Sequence, residues 1–182
     1  MVNFRTVGHG TLPADDFATL VTGAGIQVIV DVRSFPASRR HPQYRREAME
    51  RWLPDAGVAY RWEPRLGGRR RPRPDSPHGA LRVPAFRGYA DHMETAEFRD
   101  AVDELLADAG TRPASVMCAE SVWWRCHRRL LADAAVLLRG AAVEHLFHDG
   151  RVDAHRPTAE AHVDGRRLVY DGGEPGLPLR ES

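Results

Sequence analysis

The strongest constraint on the fold of this chain is the stretch Pro113 to Arg139, PASVMCAESVWWRCHRRLLADAAVLLR. Ser115 to Ala119 reads as a short buried strand and Glu120-Ser121 as a polar turn. A helix follows that becomes almost wholly apolar after Arg129. A strand running directly into a helix is half of a βαβ unit and requires a parallel sheet to complete it. In open α/β sheets the ligand crevice lies outside the carboxyl ends of the strands. That junction holds Cys118, Glu120, Arg125, Cys126, His127, Arg128 and Arg129.

The remaining segments supply the other strands. Phe4 to Val7 predicts a short strand ending in Gly8-His9-Gly10. Thr11 is the expected cap of the next helix, with Pro13 in its first turn and Gly23 and Gly25 stopping it. Ile26 to Val32, IQVIVDV, has the β-branched run of a central parallel strand and carries Asp31 and Arg33 at its carboxyl end. A helix over Tyr44 to Asp55 and a strand over Val58 to Trp62 follow. Pro84 to Met93 predicts a short helical turn over the site, and Thr95 to Ala109 a longer helix. A further strand runs from Ala142 to Phe147. This alternation predicts a parallel, right-handed α/β domain over residues 1–150. Residues 151–182 read as a C-terminal extension: a hairpin about Asp164-Gly165, then a loose tail from Gly172.

A chain of 182 residues fits one domain and can bury roughly 70% of its unfolded surface without staples. Two cysteines make no disulfide framework, and no apolar run approaches membrane-spanning length, so a reducing cytoplasm is expected. Net charge is only +1, yet residues 33–87 hold 14 arginines against five acids. Such a surplus suits a phosphate-rich partner, a nucleotide or a nucleic acid. All 26 basic residues are arginine, which weakens the meaning of any single one. Glu63 to Val83, EPRLGGRRRPRPDSPHGALRV, reads either as a mobile, solvated insertion or as an arm that orders on a phosphate backbone.

If the strand ends converge, His9, Asp31, Arg33, Cys118 and Glu120 meet Cys126 and His127 at the helix start. Asp31, Cys118, Glu120, Cys126 and His127 are then the candidate acid, base or nucleophile groups. Arg33, Arg39, Arg87 and Arg128 would hold anionic groups, with His9 and Tyr89 beside them. Cys126, near a helix amino terminus and flanked by arginines, is placed to ionise easily. A metal is not expected: there is no CxxC, and adjacent Cys-His seldom closes on one ion. No cofactor and no oligomeric state follow from the sequence. Asp-Val-Arg after one strand and a cysteine after a later one partly resemble rhodanese-like sulfurtransferases. Here, however, Arg125 lies seven positions past Cys118, across a loop with Trp123 and Trp124 and no glycine.

A broader resemblance takes in most of the chain. TVGHG, VIVDVRSFPASRRHPQY, RLGGRR, FRGYADHMETAEF, MCAE and CHRRLLAD stand in the order and spacing of the bacterial domain of unknown function 488 family. The resemblance runs from about Thr6 to His148. It implies a Rossmann-like three-layer α/β/α fold, with these motifs lining one pocket, and it implies no activity. Three functions remain open: binding or processing of a phosphate-bearing substrate, cysteine-nucleophile chemistry of rhodanese or phosphatase type, or a non-catalytic sensor or interaction module.

Overall fold

The computed structural model describes residues 1–172. The chain runs β1 (Asn3–Gly8), α1 (Ala14–Gly23), β2 (Val28–Asp31), α2 (Arg46–Asp55), β3 (Ala59–Trp62), α3 (Pro84–Met93) and α4 (Ala96–Thr111). It continues as β4 (Ala114–Cys118), α5 (Arg128–Arg139), β5 (Ala142–Leu146), β6 (Val152–Ala154), β7 (Ala161–Asp164) and β8 (Arg167–Tyr170). Six strands form one sheet in the order β3-β2-β4-β1-β5-β6, parallel except for the last pair. β7 and β8 form a separate antiparallel hairpin, with Gly165 at φ 62° in its turn.

Side-chain alternation along the strands assigns the helices to layers. Val7, Ile29, Met117 and Leu146 face α1 and α2, where Phe17, Val21, Met49 and Leu53 complete one core. Phe4, Val28, Val30, Val116 and Val143 face the other way, onto α3, α4 and α5 through Tyr89, Phe98, Leu105, Leu130 and Leu131. The result is a three-layer α/β/α sandwich of Rossmann-like type. β1 leaves toward β2 through α1 on one face, whereas its neighbour β4 leaves toward β5 through α5 on the other. The chain therefore parts at the carboxyl ends of β1 and β4, the switch point at which such sheets bind ligands.

Several local expectations change. Thr11 does not cap α1; Pro13 occupies that position and makes no side-chain cap, because the helix starts only at Ala14. The Tyr44–Asp55 helix splits, since Arg45 is extended (φ −66°, ψ 146°) between a 3₁₀ turn at Pro42–Tyr44 and α2. Pro84–Met93 is a full ten-residue helix whose last six residues are all buried. The Arg/Pro-rich insertion packs against the domain. The His78 side chain is fully buried, Leu81 is in the core, and the Ala80 N–H donates to the Tyr170 carbonyl at 2.9 Å. Arg73 is held by Glu94 and by Asp91, which also accepts its backbone N–H. The buried apolar groups and these acids on α3 and beside it fasten the segment. The expected tail beyond Gly172 lies outside the described residues. No helix among the described residues is long and apolar enough to cross a membrane.

Candidate functional site

Strand parity decides which groups can meet. Cys118 shares the parity of Val116 and points to the α5 side of the sheet, where Cys126 and His127 stand at the head of the helix. The two sulfurs lie 2.9 Å apart and both cysteines are free. His127 Nδ1 is 3.6 Å from Cys126 Sγ, and one ligand atom from each of the three residues falls within 4.8 Å of the others. Backbone N–H groups of Glu120 and Arg128 donate to Cys118 Sγ and Cys126 Sγ at 3.4 and 3.5 Å. The hydrogen bond to Cys126, together with burial, pushes the Cys118 thiol well up. Burial alone would raise Cys126 too. The hydrogen bond from Cys118, the His127 ring and the Arg128 charge outweigh it and hold Cys126 well below the usual thiol range.

This cluster forms one wall of a cavity of about 290 Å³ at the switch point. Arg69, Arg125 and Glu120 stand around it, with the rings of Phe35 and Phe86. Phe35 is 72% exposed and lies under the Arg69 guanidinium. The loop bearing Glu120 packs so tightly on β1 that a Cβ at Gly8 would overlap the Glu120 carbonyl. Gly68 performs the same service beside His127, where a Cβ would stand 2.9 Å from Nδ1. Trp123 stays clear of the cavity: it stacks on His145 at 3.9 Å with the rings 5° apart. Larger hollows exist, such as one of about 540 Å³ beside Asn3, Ile26 and Ala114, but that one lies at the amino ends of the strands and holds neither cysteine.

The other sequence candidates go elsewhere. Asp31 has the parity of Ile29 and points toward α2, fully buried. It accepts two hydrogen bonds from the Arg33 guanidinium (2.9 and 2.6 Å), one from the Arg33 N–H and one from the Tyr60 hydroxyl. His9 is on the same side, stacked on Tyr44 at 3.9 Å. Arg33 Nη1 donates to His9 Nε2 at 3.2 Å; an arginine can only donate, so His9 carries its proton on Nδ1, which donates to the Gly10 carbonyl. Burial and the Arg33 charge lower His9 to about 4. Arg33 alone of this trio reaches the cavity wall. Tyr89 is fully buried and donates to the Leu66 carbonyl, while Arg87 holds the carbonyls of Leu81 and Arg82. Arg128 is 1% exposed and bonds Thr6 Oγ1 and the carbonyls of Glu120 and Ser121. Arg39 is exposed and does not line the cavity.

The cavity thus gathers Cys118, Glu120, Cys126, His127 and Arg33, and leaves Asp31, His9, Arg39, Arg87, Tyr89 and Arg128 outside it. Sequence reasoning missed Phe35, Arg69 and Phe86 as wall residues, although each sits in or beside a motif already noticed: SFP, RLGGRR and FRGY. The adjacent Cys126 and His127 do converge with Cys118, because the turn before α5 folds His127 back over the sulfurs.

A search of curated proteins returns no match, and neither does a search of solved structures. The sequence pattern of the family described as Domain of unknown function DUF488 matches residues 13–135, which excludes the TVGHG segment but takes in every other motif at the cavity. With well over half its length matched, the chain belongs to the DUF488 family.

Proposed function

We propose that this chain is an enzyme that binds a phosphate-bearing substrate, a nucleotide or single-stranded nucleic acid, in the switch-point cavity and processes it at the Cys118–Cys126–His127 cluster. One observation carries this reading. Among the described residues, the guanidiniums of Arg69 and Arg125 show no hydrogen bond or ion pair to a protein oxygen, and both flank the cavity whose wall is the thiol pair. Two guanidiniums without an oxygen partner, on the walls of one hollow, suit phosphate oxygens. The exposed Phe35 ring beside them suits a nucleobase, since every base presents a π-face. Glu120, exposed at the rim, is the carboxylate available for proton transfer. A reducing cytoplasm would keep both thiols free.

The test is fluorescence anisotropy with a short labelled oligodeoxythymidylate across a salt series. Two phosphates neutralised on a single strand give a slope of log affinity against log salt near −1.4, from about −0.7 each. Arg69→Ala and Arg125→Ala should each remove about half of it. A flat salt response, or no binding at low salt, overturns the reading.

A second reading keeps the cavity and makes Cys126 itself the nucleophile. It is favoured by the placement of its sulfur at the head of α5, with the Arg128 N–H and His127 beside it. Iodoacetamide mapping at neutral pH tests it: selective labelling of Cys126 supports it, and two inert thiols remove it.

A further inference from the structure

We propose that Cys118, Cys126 and His127 form a binding site for one zinc ion, with a fourth coordination position open to the cavity. The site's existence rests on the geometry of these three residues; its role in processing a phosphate-bearing substrate rests on the function proposed above. The donor set is two sulfurs and one imidazole, the borderline-soft mixture that zinc prefers. Tetrahedral zinc, with Zn–S near ~2.3 Å and Zn–N near ~2.0 Å, separates a sulfur from a nitrogen ligand by roughly 3.5 Å and two sulfurs by roughly 3.8 Å. His127 Nδ1 already lies 3.6 Å from Cys126 Sγ. The sulfurs, at 2.9 Å, must move apart by about 1 Å to take the ion, with all three ligand atoms already within 4.8 Å of one another.

Three features outside the donor atoms support the same assignment. The Glu120 and Arg128 N–H groups point at the two sulfurs, as outer-shell donors do at thiolate ligands. Gly68 leaves open the space beside His127 Nδ1 that any side chain would occupy. The fourth direction faces a cavity with Arg69, Arg125 and Glu120 on its walls. Three protein ligands and one open position is the pattern of catalytic rather than structural zinc. On binding, two Zn–S bonds and one Zn–N bond form, bonds from the ion to the waters they replace break, and the protons that the Cys118 and Cys126 sulfurs still carry leave to solvent with those waters. An ion there supplies a Lewis acid to a phosphoryl oxygen held by the two arginines. Ligation also draws electron density from the Cys126 sulfur and so lowers the nucleophilicity that the second reading of the cluster requires.

The test uses the full chain, reduced, stripped with a chelator and dialysed against zinc chloride. Elemental analysis is expected to find about one zinc per chain, and cobalt substitution to give the intense near-ultraviolet sulfur-to-cobalt absorption of thiolate ligation. Cys118→Ser, Cys126→Ser and His127→Ala should each lose zinc by at least tenfold in affinity, while the His41→Ala control retains it. Circular dichroism confirms that each variant is folded. The wild-type titration with a competing fluorescent chelator needs no variant at all. No zinc retained by the reduced wild type overturns the proposal, as does undiminished zinc in the folded Cys126→Ser variant. A reduced chain that binds the oligonucleotide but retains no zinc sinks the metal site and leaves the substrate reading standing. Zinc without oligonucleotide binding does the reverse.

Discussion

Replacing Asp31 by Asn changes one oxygen into an NH₂ at a site with no room and no water access, since Asp31 is fully buried and Arg33 only 8% exposed. The carboxylate accepts four hydrogen bonds, three of them from Arg33. An Asn can keep the Oδ1 pair, and the Tyr60 hydroxyl can reverse to accept from the new amide. The Arg33 Nη2 cannot, because a guanidinium has no acceptor; it would face another donor while its charge lost its counterion. Breaking a buried pair from one side costs about 3–5 kcal/mol. For a chain of this size that is a melting temperature lower by roughly 10 °C. Urea denaturation followed by circular dichroism reads the difference by linear extrapolation. The double variant Asp31→Asn/Arg33→Met removes the stranded charge and should recover most of the loss. A cost of the single variant below about 1 kcal/mol, or a double variant no better than the single, would refute the assignment of this pair to the architecture.

The other expectations concern neighbouring buried groups and the cavity rim. Burial, reinforced by Arg33 at His9 and by His155 at His145, lowers these imidazoles to about 4 and about 3. Unfolding therefore takes up protons below about pH 6.5, so stability is full above that pH and should fall by roughly 3 kcal/mol between pH 6.5 and 5, before most carboxylates titrate. A flat urea midpoint over that window would contradict it. Asp133, fully buried, accepts from His155, the Thr158 N–H and the Tyr170 hydroxyl. Asp133→Asn can satisfy all three if Tyr170 reverses and should cost under about 1 kcal/mol, whereas Asp133→Ala strands the donors and should cost about 3 kcal/mol or more. Hydrogen exchange at β8 should then accelerate in the alanine variant alone; equal effects of the two would show that charge, not donor satisfaction, matters. Phe35→Ala should weaken oligonucleotide binding by roughly 5- to 150-fold, the worth of one stacked base at about 1–3 kcal/mol, with urea stability unchanged. Unaltered anisotropy titrations would exclude stacking there.

The layers were legible because the continuous apolar runs in IQVIVDV and ASVMC, buried on both faces, leave few alternatives to central parallel strands. Parity along those same strands also separates Asp31 from Cys118, so the sequence already contained the reason that the two do not share a pocket. What it lacked was strand order. Only with β4 seated between β2 and β1 can Arg33 line the cavity that holds Cys118 while its guanidinium stays bound to Asp31. β6 escaped notice because Val152–Ala154 is three residues long and pairs antiparallel at an edge. The insertion misled for a different reason: its fastening acids, Asp91 and Glu94, lie on or next to a helix that follows it, and no local pattern links an arginine to a carboxylate some twenty positions on.

Arginine identity is where sequence reasoning had least purchase, since a composition with no lysine gives every cation the same letter. The structure sorts them by what their N–H groups touch. Arg33 is paired with Asp31, Arg73 with Glu94 and Asp91, and Arg70 and Arg87 with backbone carbonyls. Arg128 closes a buried hydrogen-bonded chain through its two terminal nitrogens, while its Nε has no partner among the described residues. Its Nη1 donates to Thr6, the Thr6 hydroxyl to His145, His145 to His155 and His155 to Asp133. Held at one end by that chain, the other nitrogen of Arg128 grips the Glu120 and Ser121 carbonyls and so fixes the loop between the two cysteines. The motif CHR thus divides its labour: the cysteine and histidine face the cavity, and the arginine behind them sets where they stand. Arg69 and Arg125, which no motif singled out as ligand groups, are the cations that would meet a substrate on the function proposed above, because among the described residues on the cavity's rim their guanidiniums alone have no protein oxygen to satisfy.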